Sequence, residues 1–177
     1  EPTANLDADA RAAFFAEPDL YFDYFASLLN RGNGVGLVTD ITPSYAALSP
    51  VRFRSIRTAF EERDVHVKVV FLLRDPVERI WSAERMYHRV HPDEAVEPVE
   101  ARILRTFDSA FHQVRTRYHD TMAALEQSFP AGDLHYGFYE NLFRADTLAR
   151  LCEFAGIDYI EPDLGRRLNS SPKPIDL

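Results

Sequence analysis

Arg74 and Ser82 are the residues of this chain whose types and spacing come closest to a site. They stand eight positions apart in the run R-D-P-V-E-R-I-W-S. A guanidinium offers a planar fork of donors and a serine hydroxyl a rotatable one, so the two can converge on one tetrahedral anion. If a helix runs on from Pro76, then Asp75, Arg79 and Ser82 share one face by the i, i+4, i+7 rule. Singly, an Arg or a Ser is more simply a solvated or capping side chain, so the case rests on the combination. Asp40 and Thr42 form a second polar group. Asp40 can serve as a general base for an acceptor hydroxyl, or, more simply, as a loop cap or an Arg partner. His88 and His91 have a helix-compatible ligand spacing, but no carboxylate or cysteine partner is evident and no metal site is predicted. Cys152, beside Leu148 and Leu151, reads as a core thiol rather than a nucleophile.

The elements that must position these residues follow from the pattern around them. Val67 to Leu73 is apolar with one interruption, the composition of a parallel strand covered on both faces. Pro76 suits the first helical position and Asp75 the N-cap, so the strand feeds a helix that ends near His91-Pro92. Upstream, Asp7 to Phe15 and Pro18 to Asn30 read as helices. Tyr21, Phe25, Leu28 and Leu29 give the second a greasy face, for core packing first or for lining an acceptor pocket. Gly36 to Ile41 reads as a short strand left at Pro43, and Ser49-Pro50 starts a helix through Glu62. Its Phe53, Ile56 and Phe60 face inward, and Arg52, Arg54 and Arg57 form a solvated face. Asp93 to Pro98 is a connection, and Val99 to Ser128 a long helical stretch with a break near Phe107. Leu134 to Phe138 is a strand, and Ala145 to Ala155 a helix ended by Gly156. Strand alternating with helix implies an α/β fold with a parallel sheet.

The apolar strand, R-D-P-V-E-R and Ser82 together resemble the 3′-phosphate-binding strand and helix of sulfotransferases that use 3′-phosphoadenosine 5′-phosphosulfate (PAPS). T-D-I-T-P-S-Y (39–45) is similar to the strand-loop bordering their acceptor site, and 117–142 to their later helix-strand pair. The likeness is to the bacterial and heparan-sulfate type with a P-loop fold, and spans about residues 39–177. It implies a three-layer parallel sheet flanked by helices, PAPS or adenosine 3′,5′-bisphosphate as the nucleotide, and a carbohydrate, lipid or small-molecule acceptor with a hydroxyl or amine. By the same resemblance Arg74 and Ser82 hold the 3′-phosphate. Tyr118 approaches the adenine, unless it is an interfacial core tyrosine, and Lys173 belongs to a loop closing over the phosphate, unless the basic tail is only a tail. Where relatives carry a Lys or His near the transferring group, this chain reads Asp40, Ile41 and Thr42. No Gly/Thr-rich turn with a Lys, the loop that holds the 5′-phosphosulfate, precedes residue 39. The single domain 1–177 is therefore expected to lack its first strand and that loop.

The chain has 177 residues, 46% of them hydrophobic and 12% aromatic, enough for one domain with a substantial core. Its net charge of −8 gives no electrostatic reason to bind nucleic acid or anionic membranes, so a phosphate site must be a local basic pocket. One cysteine excludes an internal disulfide framework and points to a reducing, cytoplasmic setting. No apolar run approaches the roughly 20 residues that span a bilayer. Two other readings stand beside the sulfotransferase. One is a kinase relative using a nucleoside triphosphate, for which the chain has no Walker motif. The other is a non-catalytic nucleotide-binding or interaction module presenting the aromatic face of 21–29.

Overall fold

The computed structural model describes residues 8–31, 34–93 and 97–164. Helices α1 (Ala8–Ala16), α2 (Pro18–Leu29) and α3 (Pro50–Glu61) precede strand β1 (Val69–Leu73) and helix α4 (Pro76–Val90). Helices α5 (Val99–Thr106), α6 (Ala110–Thr116) and α7 (Tyr118–Glu126) lead to strand β2 (Leu134–Phe138) and helix α8 (Ala145–Ala155). The chain is thus an α/β protein, mostly helical, around a small parallel sheet.

β1 and β2 pair in parallel from Val69 opposite Leu134 to Leu73 opposite Phe138. Side chains alternate across a strand, so Val69, Phe71, Leu134 and Tyr136 share one face. They pack against Phe53 of α3, Ala124 and Leu125 of α7, and Phe129, which make up the buried core. The opposite face carries α8, where Phe154 lies 5.2 Å from His135 and its carbonyl accepts a 2.7 Å hydrogen bond from Lys68 Nζ. Helices thus lie on both faces of the strand pair, with Val70 on the α8 side left 43% exposed. Gly137 sits opposite Leu72, and a Cβ there would meet the Leu72 side chain at 3.0 Å. The left-handed Gly156, φ 75°, closes α8 as a C-terminal glycine should.

The N-terminal helices are joined to this body through α3. Phe22 of α2 meets Phe60 at 5.0 Å, ring edge to face, and Arg63 pairs with Asp23 at 2.6 Å and Asp19 at 3.2 Å. The aromatic face of α2 is thus largely spent on packing, with Phe14 of α1 against Tyr21 and Tyr24.

Three expectations from the sequence are corrected. Residues 36–41 are extended but form no strand, because no ladder partner lies beside them among the described residues and an unpaired strand has nothing to hold it. The stretch 99–128 breaks near Phe107 as expected, but a second break at Arg117 makes it three helices. Ser109 restarts the second by accepting from the His112 N–H, and Arg117, ψ 65°, breaks the way into the third. Finally, Arg54 and Arg57 are not merely a solvated face. They donate to the carbonyls of Gln127 and Ser128, which follow α7 and have no intrahelical partner.

Leu125 is 2% exposed at the centre of the core, whereas Val51 is 65% exposed. Leu125→Ala is expected to lower the unfolding free energy by about 2–5 kcal/mol in urea titrations. Val51→Ala, the surface control, should stay within about 0.5 kcal/mol.

Candidate functional site

β1 stops at Leu73 because Asp75-Pro76 cannot extend the ladder, and the chain turns directly into α4. The Asp75 carboxylate caps the helix, accepting from the Glu78 N–H at 2.9 Å, with Pro76 in its first turn. The Asp75 N–H itself donates to the Glu140 carboxylate at 2.9 Å, from the turn that follows β2. That hydrogen bond, the backbone of Glu140 and nearby Arg74 hold the Glu140 carboxyl below the usual carboxylate range. Two backbone donors at this turn are therefore already taken by carboxylates.

The Arg74 guanidinium lies over the Tyr139 ring, 4.8 Å from its centre, and makes a loose 3.5 Å contact with Glu78 one turn along. Its carbonyl accepts from the Tyr118 hydroxyl at 2.9 Å, while the Tyr118 ring packs edge-on to Phe71 at 5.9 Å. Arg74 and Tyr118 are thus brought together at the end of β1. Ser82 is half-buried on α4, one turn beyond Glu78, its hydroxyl without a hydrogen bond to another described residue. Arg79 lies between them. Its Nε is buried without a hydrogen-bond partner among the described residues, an arrangement that calls for a reason. Arg79, placed by spacing on the Asp75–Ser82 face, was given no role there by the sequence alone. The signal was its place on the Asp75–Ser82 face, but an orphaned donor is visible only once the helix is packed. Lys173 lies outside the described residues.

Asp40 belongs to a separate cluster. Its carboxylate accepts from the Tyr21 hydroxyl at 2.7 Å, the Thr42 hydroxyl at 2.7 Å and the Tyr45 hydroxyl. The two phenols also contact each other at 3.1 Å. Burial, then hydrogen bonds with Tyr45 and Asp40, push the Tyr21 phenol far above its usual range; burial and the bond to Asp40 raise Tyr45. A carboxylate has about four acceptor positions, and three are taken. What remains is a fixed orientation and one lone pair.

The two clusters are tied through α7. Thr121 donates to the Ala46 carbonyl at 3.0 Å, in the 3-10 turn Pro43–Ala47 that carries Tyr45. Tyr118, three residues earlier on the same helix face, holds the Arg74 carbonyl. One turn of α7 thus sets the Asp40 loop relative to the end of β1.

A cleft of about 240 Å³ adjoins the end of β2, lined by Gly137, Asn141, Arg144, Thr147 and Arg150 among others. Arg74, Ser82, Tyr118 and Asp40 do not line it. Its two arginines share Asp146, at 3.2 Å and 3.3 Å, so their charge is partly offset. Among the described residues no group of histidine, cysteine and carboxylate side chains is arranged to hold a metal ion, and no helix is long and apolar enough to cross a membrane.

Helices on both faces of a parallel strand pair, with Arg74, Tyr118 and Glu140 meeting where β1 ends, define an α/β protein whose polar side chains collect at its strand ends, where open α/β sheets bind ligands. A sequence model of the sulfotransferase family matches residues 5–161, most of the chain, and the protein belongs to that family. Sulfuryl transfer is the chemistry its site has to serve. Neither curated proteins nor solved structures give a significant match.

A phenol with a raised value adds stability that is fully present below the free-tyrosine value of about 10 and drains away as pH climbs toward the folded value. Alkaline titration of tyrosinate absorbance is therefore expected to leave a component unionised until the chain unfolds. The double substitution of Tyr21 and Tyr45 by Phe should shrink that component.

Proposed function

We propose that this chain is a PAPS-dependent sulfotransferase whose 3′-phosphate site is formed by Arg74, Arg79 and Ser82. The observation that carries the reading is the Arg79 Nε, buried and without a hydrogen-bond partner among the described residues, on the helix that follows the Arg74 turn. A phosphate oxygen would satisfy that donor. Arg74 needs only to exchange its loose Glu78 contact, an i,i+4 pair worth about 0.2–0.5 kcal/mol, for a charged hydrogen bond worth about 1.5–3 kcal/mol. The residues present therefore fit the anionic half of the nucleotide. Tyr118 keeps the strand end fixed through its hydroxyl on the Arg74 carbonyl and is the aromatic proposed to approach the adenine. Lys173 remains the candidate for a closing cation from the C-terminal segment.

When bound, the nucleotide supplies the activated sulfuryl group. The protein's own contribution is to hold the donor's charged end and to orient the acceptor, because fixed geometry converts an encounter into a unimolecular step. Asp40 is the proposed base. Held by Tyr21, Thr42 and Tyr45, its carboxylate has one acceptor position left for the hydroxyl or amine of the incoming carbohydrate, lipid or small molecule. The interaction-module reading loses its main support, since the aromatic face of 21–29 is engaged with α1 and α3.

Calorimetric titration with adenosine 3′,5′-bisphosphate and with adenosine 5′-monophosphate tests the donor site. The bisphosphate should bind more tightly, and Arg74→Ala should weaken it by about 1.5–3 kcal/mol, the worth of a charged hydrogen bond. Equal binding of the two nucleotides would rule the reading out. For the base, Asp40→Asn should lower kcat about 10²–10⁴-fold while nucleotide affinity is kept. A rate within twofold of the parent chain would leave Asp40 a purely structural group.

A further inference from the structure

The one residue of α4 that is fully buried is a carboxylate, Glu84, 4% exposed. Its Oε1 meets His112 Nε2 of α6 at 2.7 Å, and His112 is itself 2% exposed. Its Oε2 accepts from Arg102 Nε of α5, and the Thr106 hydroxyl of α5 stands 3.4 Å from Oε1. Arg102 is held a second time by α4, with its guanidinium 3.9 Å from the centre of the Tyr87 ring. On α4, then, the deepest contact is made by charge and hydrogen bonds, where an apolar side chain would have packed with less desolvation cost. The best-attested use of such a buried pair is to select one register, since an ionic group tolerates no alternative partner in a core.

Register is what the site on this helix needs. At about 100° per residue, Glu84 lies roughly 200° around α4 from Ser82, so fastening Glu84 inward sends Ser82 to the far side. Arg79, five residues before Glu84, is set by the same rotation. From α6 the contact continues outward, because α6 packs on the 3-10 turn Pro43–Ala47 whose Tyr45 holds Asp40. We infer that the Glu84–His112 pair is the positioning element that aims Ser82 and Arg79 at the nucleotide 3′-phosphate, without touching the nucleotide itself. The inference rests on the donor site proposed above.

It is tested on the full chain by calorimetry with adenosine 3′,5′-bisphosphate and adenosine 5′-monophosphate, in Glu84→Gln, His112→Gln and the double variant. Each single substitution is expected to cut the preference for the bisphosphate about tenfold, with the double variant no worse than either single, as for two residues acting as a unit. Affinity for the monophosphate should stay within about twofold, since it carries no 3′-phosphate to be read. An unchanged preference, or equal weakening toward both nucleotides, would overturn the positioning role, the second result marking a structural part only. Should the single variants lose their near-ultraviolet dichroism, Arg102→Lys replaces them. It leaves the pair in place but loosens its anchor to α5, and must lower the preference in the same direction for the inference to stand. A parent chain with no preference removes the donor site and this inference together, whereas a parent preference untouched by the variants removes this inference alone.

Discussion

The hydrogen bond from the Tyr118 hydroxyl to the Arg74 carbonyl is the contact on which the arrangement of the site depends. A strand that ends at a proline turn leaves its last carbonyl without a ladder partner, and a buried carbonyl left unpaired is costly. Tyr118 supplies the missing donor while its ring stacks edge-on to Phe71, so one side chain both closes the strand and seals the core beneath it. Because Tyr118 opens α7, and Thr121 on the same face holds the Ala46 carbonyl, the loop bearing Asp40 is referenced to the same point. Two polar clusters distant in sequence are thereby carried on one rigid turn of helix.

The same economy of polar contacts recurs wherever helices meet. Ser128, buried after α7, gives its hydroxyl to the Pro50 and Ala124 carbonyls at 3.1 Å and 2.7 Å, and the Ser128 and Gln127 carbonyls take the arginines of α3. Between α4, α5 and α6 the joint is Glu84 with His112 and Arg102. With a two-stranded sheet among the described residues, the apolar core around Leu125 is small, and hydrogen bonds between helix ends fix angles that apolar packing alone would leave adjustable. Any transfer between two bound reactants gains from such fixed angles, because holding both in line lowers the entropic barrier.

Much of the fold could be read from local rules. Pro76 after Asp75, Pro50 after Ser49 and Gly156 after Ala155 each mark a helix end by their own backbone chemistry, and each stands where it was expected. The V-V-F-L-L and L-H-Y-G-F runs are strands for the same reason. The run at 36–41 has the look of a strand and is not one, because a strand is completed by a neighbour and sequence periodicity says nothing of neighbours. Likewise Arg54 and Arg57 look solvated on a helical wheel, yet they reach carbonyls some seventy residues away, at Gln127 and Ser128.

By itself, then, the sequence determined the α/β class, the turn at Arg74-Asp75-Pro76 and the helix that carries Ser82 beyond it, since all of these follow from covalent geometry and short-range periodicity. Only the tertiary structure decided that the Asp75 N–H is spent on Glu140, that Arg79 keeps a buried donor without a partner among the described residues, and that Asp40 is gripped by Tyr21 and Tyr45. The reason is physical: which polar atoms stay available for a ligand depends on which others they meet on folding, and those meetings join residues that the chain holds far apart.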